Sequence, residues 1–367
     1  SVGVLISALS DTSKSVVRNA VIALGDIGDT HAVKPLIDIL ETPASPFRLD
    51  AIEALTNIQD TTAVQPLIRA ADDPDDIEVR LAAIRALSHF GQSDAEQKVL
   101  RKMTEGTGEE QLNAIEAAGR IQHQFINQAL IKFLRNADRR LQNAARQSLI
   151  QIGESALSAI FDSLRTAHPI QKSQLIHISG EIGTNSDIEK MIPFLQDKNP
   201  QVREESALAM GKLNAQQAVP ELITMLRDAD MSVRISAATA LGNIGSQDAV
   251  SALKSASEDQ DADMKKAAAI AFGKIGDERA INALRQMLTH EDRTVRKEAV
   301  VALGEIQSAD AVYPLIECFA DKDVNIRRAT EEALINIGEP AVKELIAALN
   351  NENTFVRSSA RKTIIRI

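Results

Sequence analysis

Residues 228–245 read DADMSVRISAATALGNIG, and the same wording returns along the whole chain. It joins an acidic turn, Val-Arg, small residues at helical spacing, Leu-Gly and a closing Ile-Gly. Cognates are DKNPQVREESALAMGKLN at 197–214, DQDADMKKAAAIAFGKIG at 259–276 and DKDVNIRRATEEALINIG at 321–338. With Arg234 as anchor, the equivalent positions are Val17, Arg48, Arg80, Gln111, Gln142, Lys172, Arg203, Lys265, Arg296, Arg327 and Arg357. Successive anchors lie 30 to 32 residues apart. A fixed period of this size marks stacked helical units, each too small to bury its apolar face alone.

Each period holds two helical patterns. The first is clearest in AVKPLIDIL (32–40), AVYPLIECF (311–319) and AVKELIAAL (341–349), whose apolar residues share one helix face. The second follows the anchor: Val233, Ala237, Ala240, Leu241 and Ile244 form one stripe. Gly245, Gly276 and Gly338 then close helices, because glycine tolerates the left-handed cap conformation. The acidic turn supplies the N-cap of the second helix. Pro35, Pro66, Pro193 and Pro314 near the start of first helices are expected to bend them by deleting a backbone bond.

Bent first helices, with an Asp six residues before an Arg in the turn, resemble HEAT repeats. The short unit and the VRxxAxxALGxIG wording are most similar to HEAT-like repeats of the bacterial phycobilisome-lyase type. The resemblance covers the whole chain. It implies an all-α protein, a right-handed α-solenoid of about twelve two-helix repeats of about 31 residues. A single array over 1–367 is expected. Repeats are regular at 1–91, degenerate at 92–183 with altered curvature, and regular again at 184–367. Gln111 and Gln142 replace the anchor Arg in the degenerate part. The chain starts inside a first helix and stops inside a second helix, with both ends worded like interior repeats. Solenoid ends need polar capping repeats. A longer parent chain is therefore expected, or end-to-end or intramolecular contacts at the uncapped ends.

Composition narrows the function classes. The net charge of −10 disfavours nucleic acid, whose phosphates demand a basic surface, although it leaves room for a local basic patch. Aromatic content is 3%, with no Trp and one Tyr, which weighs against an aromatic-lined ligand pocket. The lone Cys318 excludes a disulfide framework and reads as a small buried apolar residue. There is no signal peptide and no apolar run near 18 residues. No membrane insertion and a cytoplasmic location are expected, with a bacterial or archaeal origin implied by the resemblance.

Catalytic machinery is not legible. His31, His89, His123, His168, His177 and His290 include no pair at i, i+4 that would put two metal ligands on one helix face. HEAT-like deoxyhypusine hydroxylases hold iron with several His-Glu dipeptides; this chain has His290-Glu291 alone. HEAT-like alkylpurine DNA glycosylases would need a basic, aromatic-equipped face. The acidic run 72–76 (DDPDD) lacks the Gly and distal Glu of a calcium loop and reads as a solvated capping turn. No P-loop, GxSxG or GxGxxG after a strand occurs. The expectation is no catalytic residue, no metal and no cofactor. The enzymatic alternative is a bilin lyase or isomerase of the phycobilisome class, which rests on repeat wording alone; Tyr313 is the sole Tyr, and the nine Phe are scattered. A rigid structural spacer is the third reading.

Two residue sets follow. Asp197, Asp228, Asp259 and Asp321 precede Arg203, Arg234, Lys265 and Arg327 by six residues, and Arg296 takes the same anchor position. In HEAT-like arrays such residues form ladders between neighbouring repeats. An exposed ion pair contributes only about 0.2–1 kcal/mol, so the ladder is expected to fix register. The second set lies one and five residues after the anchors, pointing away from the core. Leu208, Ile235, Ile270 and Val301 align there across repeats, as do Leu49, Leu81 and Leu112 earlier in the chain. Lys212, Lys266, Lys274 and Lys297 lie nearby. Aligned apolar residues rimmed by charge have the character of a protein-binding groove. HEAT-like solenoids present their second helices on the concave side, so the expected partner is a protein or an acidic-apolar peptide segment held there.

Overall fold

The computed structural model describes residues 1–367, which form helices and turns and no strand. The chain divides into two compact units, Ser1–Thr166 and Ala167–Ile367. The first unit holds the hairpins α1 (Val2–Ala8) and α2 (Lys14–Ile27), α3 (Val33–Glu41) and α4 (Arg48–Ile58), α5 (Val64–Ala70) and α6 (Ile77–Leu87), α7 (Ser93–Glu105) and α8 (Gly108–Ala118), and α9 (Gln124–Phe133) and α10 (Arg139–Ile152), followed by α11 (Leu157–Leu164). The second opens with α12 (Pro169–Ile182). It continues with α13 (Ile188–Met191) and α14 (Pro200–Lys212), α15 (Val219–Met225) and α16 (Met231–Ile244), α17 (Val250–Ser257) and α18 (Ala262–Ile275), α19 (Ile281–Met287) and α20 (Arg293–Ile306), α21 (Val312–Glu317) and α22 (Val324–Ile337), and α23 (Glu339–Ala348) and α24 (Thr354–Arg366). The division falls at the irregular turn inside the stretch that departs most from the repeat wording.

Each first helix packs on its own second helix, save that α14 is met by the 3₁₀ segment Ile192–Gln196 that follows α13, and within a unit each second helix packs on the next. This is the connectivity of an α-solenoid, in which stability comes from nearest-neighbour interfaces. The sequence-read stripe of α16 is buried throughout: Val233, Ala237, Ala240, Leu241 and Ile244. Leu222, Leu253, Leu284 and Leu315 of the first helices are fully buried opposite the second helices. Burying one such side chain contributes about 1.5–3 kcal/mol.

Glycine has two separate uses. At Gly245 and Gly276 it takes φ of 70° to end α16 and α18. Inside the second helices it sets their spacing. A methyl group built on Gly242 would come within 2.8 Å of Ala271 Cα, and one on Gly304 within 2.7 Å of Ala333 Cα. Gly25, Gly180, Gly211 and Gly273 face Ala54, Ala209, Ala240 and Ala302 in the same way. The Leu-Gly of the repeat is thus the contact through which successive second helices approach backbone to backbone.

The prolines occupy two kinds of position. Pro35, Pro66 and Pro314 are the third residues of α3, α5 and α21. There the missing amide would have had no helical partner. Each of these three helices follows directly on a 3₁₀ turn, such as Thr30–Ala32 before α3 or Ala309–Ala311 before α21. Pro193 sits in the 3₁₀ segment Ile192–Gln196 that follows the short α13.

Candidate protein-binding surface

The turns between first and second helices carry a regular electrostatic construction. Asp228 accepts the Asp230 amide at 2.9 Å, which shapes the turn, and Asp230 caps α16 by accepting the Ser232 amide at 2.9 Å. Asp321 and Asp323 repeat the arrangement before α22. The Arg203 guanidinium donates to the Asp197 carbonyl of its own turn at 2.9 Å. It also donates through Nε and Nη2 to the Asp228 carboxylate of the next repeat, at 2.8 and 2.7 Å. Lys172–Asp197 (2.8 Å), Arg296–Asp321 (2.8 Å) and Arg48–Asp73 (2.5 Å) are further rungs, and Arg234–Asp259 is looser at 3.7 Å. Three cationic anchors end without an acid, among them Arg357, which donates to the Asn351 and Glu352 carbonyls, both at 2.8 Å. Lys265 donates to the Ser257 carbonyl at 3.2 Å, and the Arg327 guanidinium stacks over Phe355 at 4.8 Å.

The rungs are far less exposed than an ordinary surface pair. The Arg296 and Asp321 side chains are 7% and 11% exposed. The low value expected for solvated pairs therefore does not apply, because removing one member would strand a desolvated charge. Burial alone would raise the Asp321 carboxyl, but the Arg296 guanidinium and the Asp323 amide outweigh it and hold the group below the usual carboxylate range. Asp228 follows the same balance, with burial opposed by Arg203 and the Asp230 amide. In the degenerate repeats Gln111 and Gln142 keep half of the anchor's role. They donate to the carbonyls of Met103 (3.1 Å) and Leu134 (2.7 Å), eight residues back, as Arg48 does to Leu40. Being neutral, they cannot pair with the next turn.

On the second-helix face, Ile270 is 40% exposed at the middle of its row. Leu208, Ile235 and Val301 are half-buried. In the first unit Leu49 is exposed, while Leu81 and Leu112 are half-buried. Three of the four lysines are engaged within the molecule. Lys212 pairs with Glu181, Lys266 pairs with Asp263 at 2.5 Å, and Lys274 donates to Asn243 at 2.7 Å. Lys297 is the least occupied, with Glu298 at 3.8 Å. The acidic end of the face is at α12 and α14, where the His177 ring lies 3.2 Å from Glu205 and 3.7 Å from Glu181.

Two concavities lie between successive first helices. One of about 820 Å³ separates α19 from α21 and includes Arg285, Pro314, Cys318 and Asp321. Another of about 510 Å³ separates α15 from α17 and is floored by Arg234 and Asp259. Sequence reasoning missed these clefts because they arise from the gap between two helix ends and not from any residue pattern. Cys318 lies at the first of them, buried, with burial and then Asp321 and Glu317 pushing its thiol up to about 12. It is a thiol at neutral pH. Tyr313 stands exposed on α21. No helix is long and apolar enough to cross a membrane.

Tandem two-helix hairpins, a second-helix seam and a ladder of turn ion pairs define a helical-repeat protein of the α-solenoid class. The family model for HEAT repeats matches residues 1–56, 33–110, 188–272 and 253–335, and the chain belongs to that family. The matches leave out 111–187, most of the stretch whose wording is degenerate. No curated protein matches the chain. Among solved structures it is similar to Kap95p, solved with RanGDP, at 16% identity and a TM-score of 0.55, covering 100% of this chain and 56% of that one. It is similar to the karyopherin Kap121p bound to Pho4p at 11% identity and a TM-score of 0.64, covering 100% and 49%. The Nup53p complex of Kap121p gives 12%, 0.63, 99% and 48%. The chain thus spans about half the length of these structures, and the likeness at such identities is one of fold.

Proposed function

We propose that the chain is a non-enzymatic scaffold. It binds a segment of a partner protein, or of another domain of its parent chain, on the second-helix face of the unit Ala167–Ile367. The observation that supports this reading most is Ile270, a large aliphatic side chain left 40% exposed in the most regular part of the chain. Leu208, Ile235 and Val301 extend an apolar strip on either side, with Lys297 at its edge. An apolar core with a charged rim is the general anatomy of a protein interface. Kap121p, of the same fold, has been solved bound to Pho4p and to Nup53p, so a HEAT-repeat array of this kind can serve as a protein-binding surface.

The test compares wild type with Ile270→Asp/Val301→Asp, each expressed with an affinity tag in the cell of origin. At least one protein enriched by the wild type should be lost from the double variant, while far-ultraviolet dichroism and melting stay within the small range of surface changes. Identical sets of enriched proteins would remove this face from consideration.

A further inference from the structure

The period 120–150 carries six cations, Arg120, Lys132, Arg135, Arg139, Arg140 and Arg146, against one anion, Asp138. Its net charge of +5 stands in a chain whose total is −10. Arg140 is held by Glu109 at 3.2 Å and Asp138 at 3.4 Å. Lys132, Arg135 and Arg139 are exposed and make no ion pair. They run from the last turn of α9 through the connecting turn to the start of α10. The same α9 borders a cleft of about 350 Å³ against α7, lined by Leu100, Thr104, Phe125, Lys132 and Phe133 among others. Phe125 is 63% exposed, in ring contact with His123 at 5.3 Å. Arg135 is seven residues before the anchor Gln142, as Ala320 is before Arg327, and Ala320 lines the matching cleft between α19 and α21. Arg135 thus takes the register position of a rim residue, two residues beyond a lining that ends at Phe133.

We propose that the α7–α9 cleft and the basic turn beside it form a docking site for an acidic peptide segment. A large apolar side chain of that segment seats against Phe125 and Phe133, and its carboxylates meet Lys132, Arg135 and Arg139. Charge complementarity selects an anionic partner, and the exposed ring beside an apolar cleft selects one with an apolar side chain to bury. A nucleic acid is disfavoured, because it needs a continuous track of phosphate contacts. Here the net charge of +5 falls in one repeat, only Arg165 continues it at the same register position of the next, and the preceding turn offers Glu105 and Glu109, both exposed. This site is separate from the second-helix face and does not depend on it.

The probe is a labelled twelve-residue peptide alternating Glu and Ala around one central Phe, followed by fluorescence anisotropy with the whole chain. Saturable binding is expected, weakening as salt shortens the screening length below about 10 Å. Lys132→Glu/Arg135→Glu/Arg139→Glu should weaken it at least about tenfold, and Phe125→Ala at least about fivefold, the ordinary size of an interface anchor. Helical content and melting should be unchanged. Ile270→Asp/Val301→Asp should bind the peptide as the wild type does. Three results would each overturn the proposal: no saturable binding, unchanged affinity in the charge-reversed variant, or equal affinity for a peptide with Gln in place of every Glu. Tighter binding of a twelve-residue oligouridine would also overturn it and reassign the patch to nucleic acid.

Discussion

Gly242→Leu should lower stability by about 3 kcal/mol or more, at the upper end of what overpacking costs. The reason is that the new side chain has no space to enter. A Cβ alone at this position meets Ala271 Cα at 2.8 Å and Ala271 Cβ at 3.1 Å, and backbone cannot swing aside as a flexible side chain would. Leucine is a better helix former than glycine by up to about 1 kcal/mol, so a loss would arise against local propensity. Because an α-solenoid is held by neighbour interfaces, the damage should be local. Amide hydrogen exchange should rise in α16 and α18 and much less in α23 and α24. Ser251→Leu, on the exposed side of α17, is the control and should change stability by only about 0.5 kcal/mol. Equal protection in the Gly242→Leu chain would mean that the close approach of second helices is not what spaces the repeats.

Arg296→Ala should cost about 3–5 kcal/mol, the range for stripping one partner from a buried ion pair. Arg296 is the most buried cation of the ladder and also donates to the His290 and Glu291 carbonyls, at 2.7 and 2.9 Å. Its removal leaves the Asp321 carboxylate desolvated and two turn carbonyls unmet. Arg296→Met/Asp321→Leu should cost less than the two single changes together, because no lone charge remains. Acid should act through the same groups. The folded-state value of Asp321 is depressed below its ordinary 3.8. Its contribution is therefore present above that value and is lost as pH falls through the folded value. The wild type should lose stability below about pH 4 more steeply than the double variant, in which this carboxyl is absent. Parallel losses would show that the rung carries no net stability.

Much of this construction is legible in the residues. The 31-residue spacing of the anchors, the stripe from Val233 to Ile244 and the closing glycines identify the hairpins by themselves. The Asp/Arg pairs are visible as a pattern, but their burial is not, because turn accessibility depends on how the next repeat sits over it. The Leu-Gly dipeptide is visible as punctuation, whereas its partner Ala lies one repeat away and only packing reveals the contact. The prolines are visible near helix starts, whereas the 3₁₀ turn that runs into α3, α5 and α21 just before them is not. Register aligns the apolar rows but not their exposure: Ile270 is exposed, Leu208, Ile235 and Val301 are half-buried, and three of the lysines are engaged within the molecule. The basic period 120–150 emerges when charge is counted repeat by repeat, since the total of −10 conceals it.

The central claim is that the second-helix face of the unit Ala167–Ile367 holds a protein segment. The most direct measurement places a photo-crosslinking amino acid at Ile270, and in a separate chain at Gln286 on the exposed side of α19, followed by irradiation in the cell of origin. The account predicts that residue 270 joins to a discrete segment of one protein and that residue 286 does not join to that segment. Adducts confined to residue 286, or none at residue 270, would contradict it.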